Sequence, residues 1–322
     1  MQPITIKDVA KRAGVSVTSV SRVLNNRGYI SVQLREKVMD AIEELDYTPN
    51  EIARSFYKNE TKDIALIIPT TLNPFFSELT FYVEKELANL GYHLYVCNSL
   101  NDPSKEKEYL KMLSEKKVDG IIVGSHNMDI KEYDKIKGNI VSFERKINDS
   151  IPMIVSDNYL GGKLATEELV RKECQTIVCI TGDQDEGTPA NNRVVAYSDV
   201  VKKNNLKEHI YRIPFTDTRE EKIEKIKNIF KEDMKVEGVF AGDDLTAHYV
   251  MQVTKALGYK IQDDLHIVGF DGTNLMRDLS PEIITVIQPL EQMATKAVQT
   301  LLSLIKGEEV RKEYTFSVEL SE

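Results

Sequence analysis

Cysteine is scarce in this chain of 322 residues, which has only Cys97, Cys174 and Cys179. So low a density fits a reducing compartment and leaves no disulfide framework. Glycine (16) and proline (10) are also few, and aliphatic residues run the whole length. That composition excludes a disordered or fibrous chain. No run of about 20 uncharged apolar residues occurs, so no membrane span is expected. The opening, Met1 to Asp8, lacks the basic-then-apolar order of a secretory signal. A cytoplasmic protein with no membrane partner is the expectation. Catalytic signatures are missing too: there is no GxSxG, GxxxxGKS/T, GxGxxG or HExxH, and Gly161-Gly162-Lys163 has the wrong spacing for a phosphate loop. His93, His126, His209, His248 and His266 are scattered, and Cys174 and Cys179 have no second pair, which argues against zinc. No enzyme activity, cofactor or metal is therefore expected.

Hydrophobic residues make up 41% and charged residues 29%, a soluble globular balance. At roughly 150 residues per domain, two or three domains are expected. The net charge of -9 is unevenly spread. Residues 1–35 hold Lys7, Lys11, Arg12, Arg22, Arg27 and Arg35 against Asp8 alone. Residues 1–60 carry nine basic and eight acidic side chains, and the remainder carries 33 against 43. A basic tip on an acidic body points to a polyanion at one end, with chance clustering on a solvated face as the plain alternative.

Ile6, Val9, Ala10 and Ala13 fall at helical spacing, up to a break at Gly14-Val15-Ser16. Val17, Val20, Val23 and Leu24 form a second apolar set, broken at Asn25-Asn26-Arg27-Gly28. Ser31 fits the N-cap of a third helix bearing Leu34, Val38, Ile42 and Leu45. Tyr47-Thr48-Pro49-Asn50 breaks the pattern, and residues 51–58 have helical potential over about two turns, too short to persist alone. Beyond Lys62, strands at 64–68, 92–97, 120–123, 140–143, 176–180, 210–213, 236–241 and 265–270 alternate with helices at 75–90, 103–117, 161–172, 190–204, 219–231 and 245–257. Alternation of this kind implies mainly parallel sheets covered on both faces. Two sheets with a crossover near 156–162 fit the length.

The stretch from Ile6 to Asn25 has the layout of a helix-turn-helix. Ala10 is small where two helices cross, Gly14 supplies the turn, and Val15 and Val20 cover the small core. That leaves Val17, Thr18, Ser21 and Arg22 facing outward near a helix start, where base edges are reached in the major groove. Arg22 suits a bidentate contact to guanine, and Val17 or Thr18 a thymine methyl. Thr5, Ser16, Ser31 and Asn25 suit phosphate positioning. An ordinary three-helix cap with solvated serines is the alternative.

The strings Ile6-Lys7-Asp8-Val9-Ala10, Ala13-Gly14-Val15-Ser16, Val20-Ser21-Arg22-Val23-Leu24-Asn25 and Tyr47-Thr48-Pro49-Asn50 are together highly specific. On them the chain resembles the lactose-repressor (LacI/GalR) family of bacterial transcription regulators, over essentially its whole length. The resemblance implies an α/β protein with a three-helix helix-turn-helix head (residues 1–46) and a hinge helix or linker (47–61). A two-lobed effector-binding and dimerisation body (62–322) follows, like a periplasmic binding protein and built of two Rossmann-like parallel-sheet subdomains. Its first lobe is expected at about 62–158 plus 290–316 and its second at about 159–288. Asn50 to Phe56 matches the family's hinge helix, which pairs across a dimer and wedges a base step apart in the minor groove. Asn50, Ala53, Arg54 and Phe56 are its candidate DNA contacts, with Phe56 where Leu is usual. Packing of Phe56 as a linker staple is the competing reading.

In the body, polar residues gather at or just past strand ends, where α/β sheets bind ligands. Thr70, Thr71 and Asn73, Glu144, Asp157-Asn158, Arg193, Asp243-Asp244, Asp271 and Gln288 are of this kind. Carboxylates accept from sugar hydroxyls, arginine donates to sugar oxygens, and an aromatic face from Phe75, Phe76 or Tyr197 can cover C–H surface. Each alone is as readily a cap. The family resemblance implies effector contacts at Thr71, Asn73, Phe75, Phe76, Glu144, Arg193, Tyr197, Asp243, Asp271 and Gln288, with Glu144 longer than the usual Asp. Residues 84–127, Asp157 to Gly162 and Gly269 to Thr273 are similar to sucrose-operon repressors of Gram-positive bacteria. Sucrose or a fructose-containing sugar is the effector so implied, with pentose, purine and β-glucoside effectors open.

The expected partners are thus double-stranded DNA carrying a pseudo-palindromic operator, a small sugar and a second copy of the chain in a homodimer. A phosphocarrier partner is undecided, and no heptad extension points to a tetramer. Release of the operator by sugar is expected, with a corepressor acting in the opposite sense as the runner-up. A sugar-capturing transport component is a third class, opposed by the DNA-reading head.

Overall fold

The computed structural model describes residues 4–25, 27–47, 60–125, 127, 130–136, 138–183, 188–232 and 234–321. The chain divides into two compact units, Met1–Thr61 and Lys62–Glu322.

In the first unit, α1 (Ile6–Ala13) is opened by Thr5, whose amide and hydroxyl both donate to Asp8 Oδ2 at 2.8 and 2.7 Å. Gly14 ends it at φ 67°, a backbone conformation costly for any residue with a Cβ. Ser16 caps α2 (Val17–Leu24) by accepting from Ser19 N at 3.1 Å, and Ser31 caps α3 (Val32–Glu44) by accepting from Leu34 N at 3.2 Å. Val9, Ala10, Val20, Val23, Val38, Ala41 and Tyr47 close the core between the three helices.

The second unit holds two sheets. In sequence order its elements are β1 (Asp63–Ile68), α4 (Pro74–Asn89), β2 (His93–Asn98), α5 (Pro103–Ser114), β3 (Gly120–Val123), α6 (Glu132–Lys135), β4 (Ile140–Phe143) and β5 (Met153–Ser156). Then follow α7 (Asn158–Arg171), β6 (Ile177–Thr181), α8 (Asn191–Lys203), β7 (Ile210–Arg212), α9 (Arg219–Ile229), β8 (Gly238–Ala241), α10 (Asp244–Ala256) and β9 (His266–Asp271). The chain ends with α11 (Asn274–Leu279), β10 (Ile284–Ile287), α12 (Leu290–Ile305), β11 (Glu313–Phe316) and β12 (Glu319–Leu320).

The first sheet runs β11-β5-β4-β3-β1-β2 and the second β12-β10-β9-β8-β6-β7. Both are parallel except where β12 pairs antiparallel to β10. Central strands are buried on both faces, which is why Ile64 to Ile68 is an unbroken aliphatic run rather than an alternation. In the first lobe, α4 and α12 pack on one face of the sheet and α5 and α6 on the other. In the second, α9 and α10 cover one face and α7 and α8 the other.

The chain passes between the sheets after β5, after β10 and after β11. The sequence reading places one crossover near 156–162, and the lobe bounds implied by the resemblance place a second at about 288–290. That reading lacks β5, β10, β11 and β12, short strands of two to four residues. Ser156 ends β5 and Gln288 follows β10, at two of the three passages.

Candidate effector cleft and nucleic-acid interface

On the head, α2 exposes Val17, Thr18 and Arg22, with Ser21 half-buried. Arg22 folds back: its Nη2 donates to Tyr29 O at 3.3 Å and its Nε to Arg27 O at 3.5 Å, tying the loop after α2 to the helix. Asn25 is spent on its own helix, its Nδ2 donating to Ser21 O at 2.9 Å. Thr5, Ser16 and Ser31 all stand at helix N-termini, where backbone amides and hydroxyls suit a phosphate oxygen. Asn50, Ala53, Arg54 and Phe56 lie outside the described residues.

In the body, a polar network spans the crossover segments. Glu144, just past β4, accepts from Ser156 N and Ser156 Oγ, each at 2.5 Å, and from Asn158 Nδ2 at 2.9 Å. Ser156 Oγ is also 2.8 Å from Gln288 Oε1, and Gln288 Nε2 donates to Asp271 Oδ1 at 2.9 Å. Arg193, from α8, donates through Nε to Asn158 Oδ1 at 2.7 Å and through Nη1 to Gly242 O at 2.6 Å. Its guanidinium carbon lies 3.4 Å from the centre of the Phe270 ring, a stacked cation–π contact. Glu144, Arg193, Asp271 and Gln288, far apart in sequence, are thus one cluster joining both lobes.

The electrostatics are those of a charge held out of water. Burial holds the Arg193 guanidinium below its ordinary value, opposed by the nearby Asp271 and Glu144 carboxylates. Burial lifts Asp271 well above the usual carboxylate range, and the neighbouring Asp244 adds to the rise. Asp244 is pushed up to about 7, again by burial, against hydrogen bonds from Thr285 Oγ1 at 2.5 Å and Gly272 N at 2.8 Å. Two of the acids also carry left-handed backbone, Glu144 at φ 50° and Asp271 at φ 116°. Such strain costs about 1–3 kcal/mol per residue and gathers at ligand sites.

Outside this network lies a cavity of about 360 Å³ between the lobes. Thr70 and Asn73 line it from the first lobe, and Phe215, Arg219, Lys222 and Asp243 from the second. Asn73 caps α4 by accepting from Phe75 N at 2.9 Å, and Asp243 caps α10 by accepting from Thr246 N at 2.8 Å. Thr71 is exposed on the same loop, its amide donating to Asn98 Oδ1 at 2.8 Å. Across the cleft, Asn274 N and Nδ2 donate to the Glu78 carboxylate at 2.8 and 2.9 Å.

Three expected aromatic contacts need correction. Tyr197 is fully buried in the second-lobe core, its hydroxyl 2.8 Å from Ile177 O and accepting from His209 N at 2.9 Å, so it offers the cleft no face. Phe75 and Phe76 belong to the first-lobe core and pack edge to face on one another with centroids 5.1 Å apart. Their faces go to protein, with Phe76 meeting Phe215 of the second lobe at 6.3 Å. The aromatic surface of the cavity comes instead from Phe215 and Tyr249, which helix periodicity gives no reason to single out.

Comparison with known proteins assigns both units. Residues 5–50 match the family described as bacterial regulatory proteins, lacI family, and residues 61–317 match periplasmic binding proteins and sugar binding domain of LacI family. The chain belongs to the LacI family. It is a DNA-binding transcriptional regulator of that family and not an enzyme. It is 42% identical to a sucrose operon repressor of Pediococcus pentosaceus over 317 residues, 98% of this chain and 97% of that one. To a ribose operon repressor of Halalkalibacterium halodurans it is 38% identical over 302 residues, 94% of this chain and 90% of the relative.

Among solved structures, a LacI-type regulator from Alkaliphilus metalliredigens complexed with D-xylulofuranose superposes with a TM-score of 0.73 at 33% identity, over 81% of this chain and 97% of that one. The lac repressor dimer bound to operator and the anti-inducer ONPF shares the fold across the whole chain and 98% of its own, with a TM-score of 0.86 at 22% identity. Among the described residues no helix is long and apolar enough to cross a membrane, and no group of His, Cys, Asp and Glu is placed to hold a metal.

Ser156, Asn158 and Phe270 complete the cluster; of these, Asn158 is among the strand-end polar residues read from the sequence and Phe270 lies in the matched stretch Gly269 to Thr273. Asn158 had a signal in the sequence, as a polar residue following an apolar run. Ser156 had none: the pairing of β4 with β5 sets it beside Glu144, and the packing of α8 on the second sheet sets Phe270 beside Arg193.

Proposed function

We propose that this chain represses a sugar-utilisation operon as a cytoplasmic homodimer and is released from its operator by sucrose or another fructose-containing sugar. The observation that carries the reading is the Glu144–Asn158–Arg193 and Ser156–Gln288–Asp271 network, built on the segments where the chain changes lobe. A ligand held there touches both lobes at once, and its binding energy is available to shift one against the other. Neutral sugar hydroxyls suit a site of several acids around one arginine. Relatives named sucrose operon repressors, at 42%, 37% and 38% identity over 98% of this chain, support sucrose over the pentose named for the ribose operon relatives.

On the DNA side, Val17, Thr18, Ser21 and Arg22 read base edges, while Thr5, Ser16 and Ser31 position phosphates and Asn25, bonded to Ser21, holds the end of α2. Asn50, Ala53, Arg54 and Phe56 act in the minor groove from hinge helices that persist only as a pair. Sugar occupancy alters the spacing of the paired first lobes and parts those helices. A thermal-shift panel of sugars, followed by operator binding with any that stabilise the protein, tests the reading. Sucrose or fructose stabilises the body and weakens operator binding on this account. Absence of a shift with either sugar contradicts it, and tightened operator binding defines a corepressor instead.

A further inference from the structure

The first lobe holds a buried ionic cluster that the effector network does not use. Glu106, on α5, is fully buried and accepts from Ser125 Oγ at 2.5 Å, Asn127 Nδ2 at 2.8 Å and the Tyr133 hydroxyl at 2.5 Å. Arg145 Nη1 donates to Glu106 Oε1 at 2.7 Å and to Ser125 Oγ at 2.8 Å. Through Nη2 the same guanidinium donates to Asn127 O, and its carbon lies 5.4 Å from the centre of the Tyr133 ring. All five residues are buried. They come from four separate stretches: α5, the segment after β3, α6 and the segment after β4. Among the described residues, none of the five bonds to Ser156, Asn158, Arg193, Asp271 or Gln288.

Stability alone does not call for this cluster, because apolar groups of the same volume often serve a core as well as a buried ion pair or better. What the pair adds is direction. Arg145 follows Glu144 directly, and Glu144 is the acid that accepts from Ser156 N, Ser156 Oγ and Asn158 Nδ2. The Glu144 backbone is left-handed at φ 50°, a conformation kept only where the surroundings over-determine it. Two restraints do so. Glu144 N donates to Ile154 O at 2.9 Å. On the next residue, the Arg145 fork is fastened to Glu106 of α5 and to Ser125 and Asn127 after β3.

We propose that Arg145, held by Glu106, is a positioning residue for the effector site: it fixes the turn at Glu144 and so aims that carboxylate at the crossover after β5. The inference rests on the effector reading above and names residues away from the cleft that set the geometry of one of its acids.

Arg145→Met alone leaves Glu106 buried without a counter-charge and so probes folding rather than placement. The informative variants are Arg145→Lys, which keeps a charge beside Glu106 but loses the fork, and the double variant Glu106→Gln with Arg145→Met, which removes both charges. Hydrogen exchange followed by NMR on the full chain reads the placement directly. The Ser156 amide, bonded to Glu144, exchanges at least about tenfold faster in both variants. The Met153 amide, bonded to Lys312 O at 2.9 Å on the same strand, keeps its rate. Calorimetric titration with sucrose and fructose reads the consequence. Arg145→Lys weakens sugar binding about fivefold, and less than about twofold in a Glu144→Ala background. Equal acceleration at Ser156 and Met153 marks a general loss of stability and overturns the inference, as does an unchanged Ser156 rate. A loss of sugar affinity equal in both backgrounds overturns it too. If the wild-type chain binds neither sugar, the effector reading falls, and the exchange rates still decide whether Arg145 places Glu144.

Discussion

Gly162 presses directly on the backbone of Arg193: a Cβ on Gly162 would stand 2.7 Å from the Arg193 Cα. The Gly161-Gly162 pair, which has the wrong spacing for a phosphate loop, thus serves close packing of α7, with Gly162 against α8 and Gly161 against Phe270 and Val286 of the second sheet. Gly162→Ala forces the two helices apart and moves the arginine that stacks on Phe270. Overpacking of this kind costs about 1–3 kcal/mol. The variant should unfold earlier on heating and bind sugar more weakly, with operator affinity in the absence of sugar close to wild type. Wild-type sugar affinity in this variant would separate Arg193 from the effector site.

Stability should fall as pH rises from about 4 to 7. Asp244, at about 7 in the folded chain against about 3.9 when unfolded, binds more protons folded than unfolded between those values. Folding is therefore favoured by protonation, and the cost of charging the buried group accumulates until pH passes its folded value. Asp271, raised in the same direction by burial, adds to the slope. The loss for Asp244 alone is on the order of 4 kcal/mol, at about 1.4 kcal/mol per unit. Thermal midpoints across this range check it, and Asp244→Asn should flatten the profile. A stability that climbs through the same window contradicts the burial of these acids.

Arg22 is held by carbonyls of the loop behind α2, and those bonds must be exchanged if it is to reach a guanine. Arg22→Ala should cost about 1–3 kcal/mol of operator affinity and relax preference at one base pair. Titration against operators substituted position by position reads this out. A loss equal for every sequence, with a salt slope reduced by about one, marks a phosphate contact instead.

Helices and buried strands were legible because their apolar spacing survives translation into burial. The three head helices begin and end at the residues Ser16, Ser31 and Gly14 that capping chemistry favours. Glu144 and Asp271 were legible as polar residues after apolar runs, and Arg193 and Gln288 through the family resemblance. Their grouping was not, because it depends on which strands lie side by side and on the passages after β5 and β10. Tyr197 illustrates the opposite failure. It shares the polar ridge of α8 with Arg193 in the sequence, yet its ring points inward and its hydroxyl is satisfied by backbone. Nothing in one sequence separates a buried, fully bonded tyrosine from a cleft-lining one.

The central claim is that sugar in the body and operator on the head influence one another through one free energy. Linkage requires that each alter the other's affinity by the same factor. The direct measurement is paired: operator affinity with and without saturating sugar, and sugar affinity with and without saturating operator. The account predicts two equal ratios, both weakening, of about 5- to 150-fold. Sugar affinity that is identical for free and operator-bound protein would contradict it.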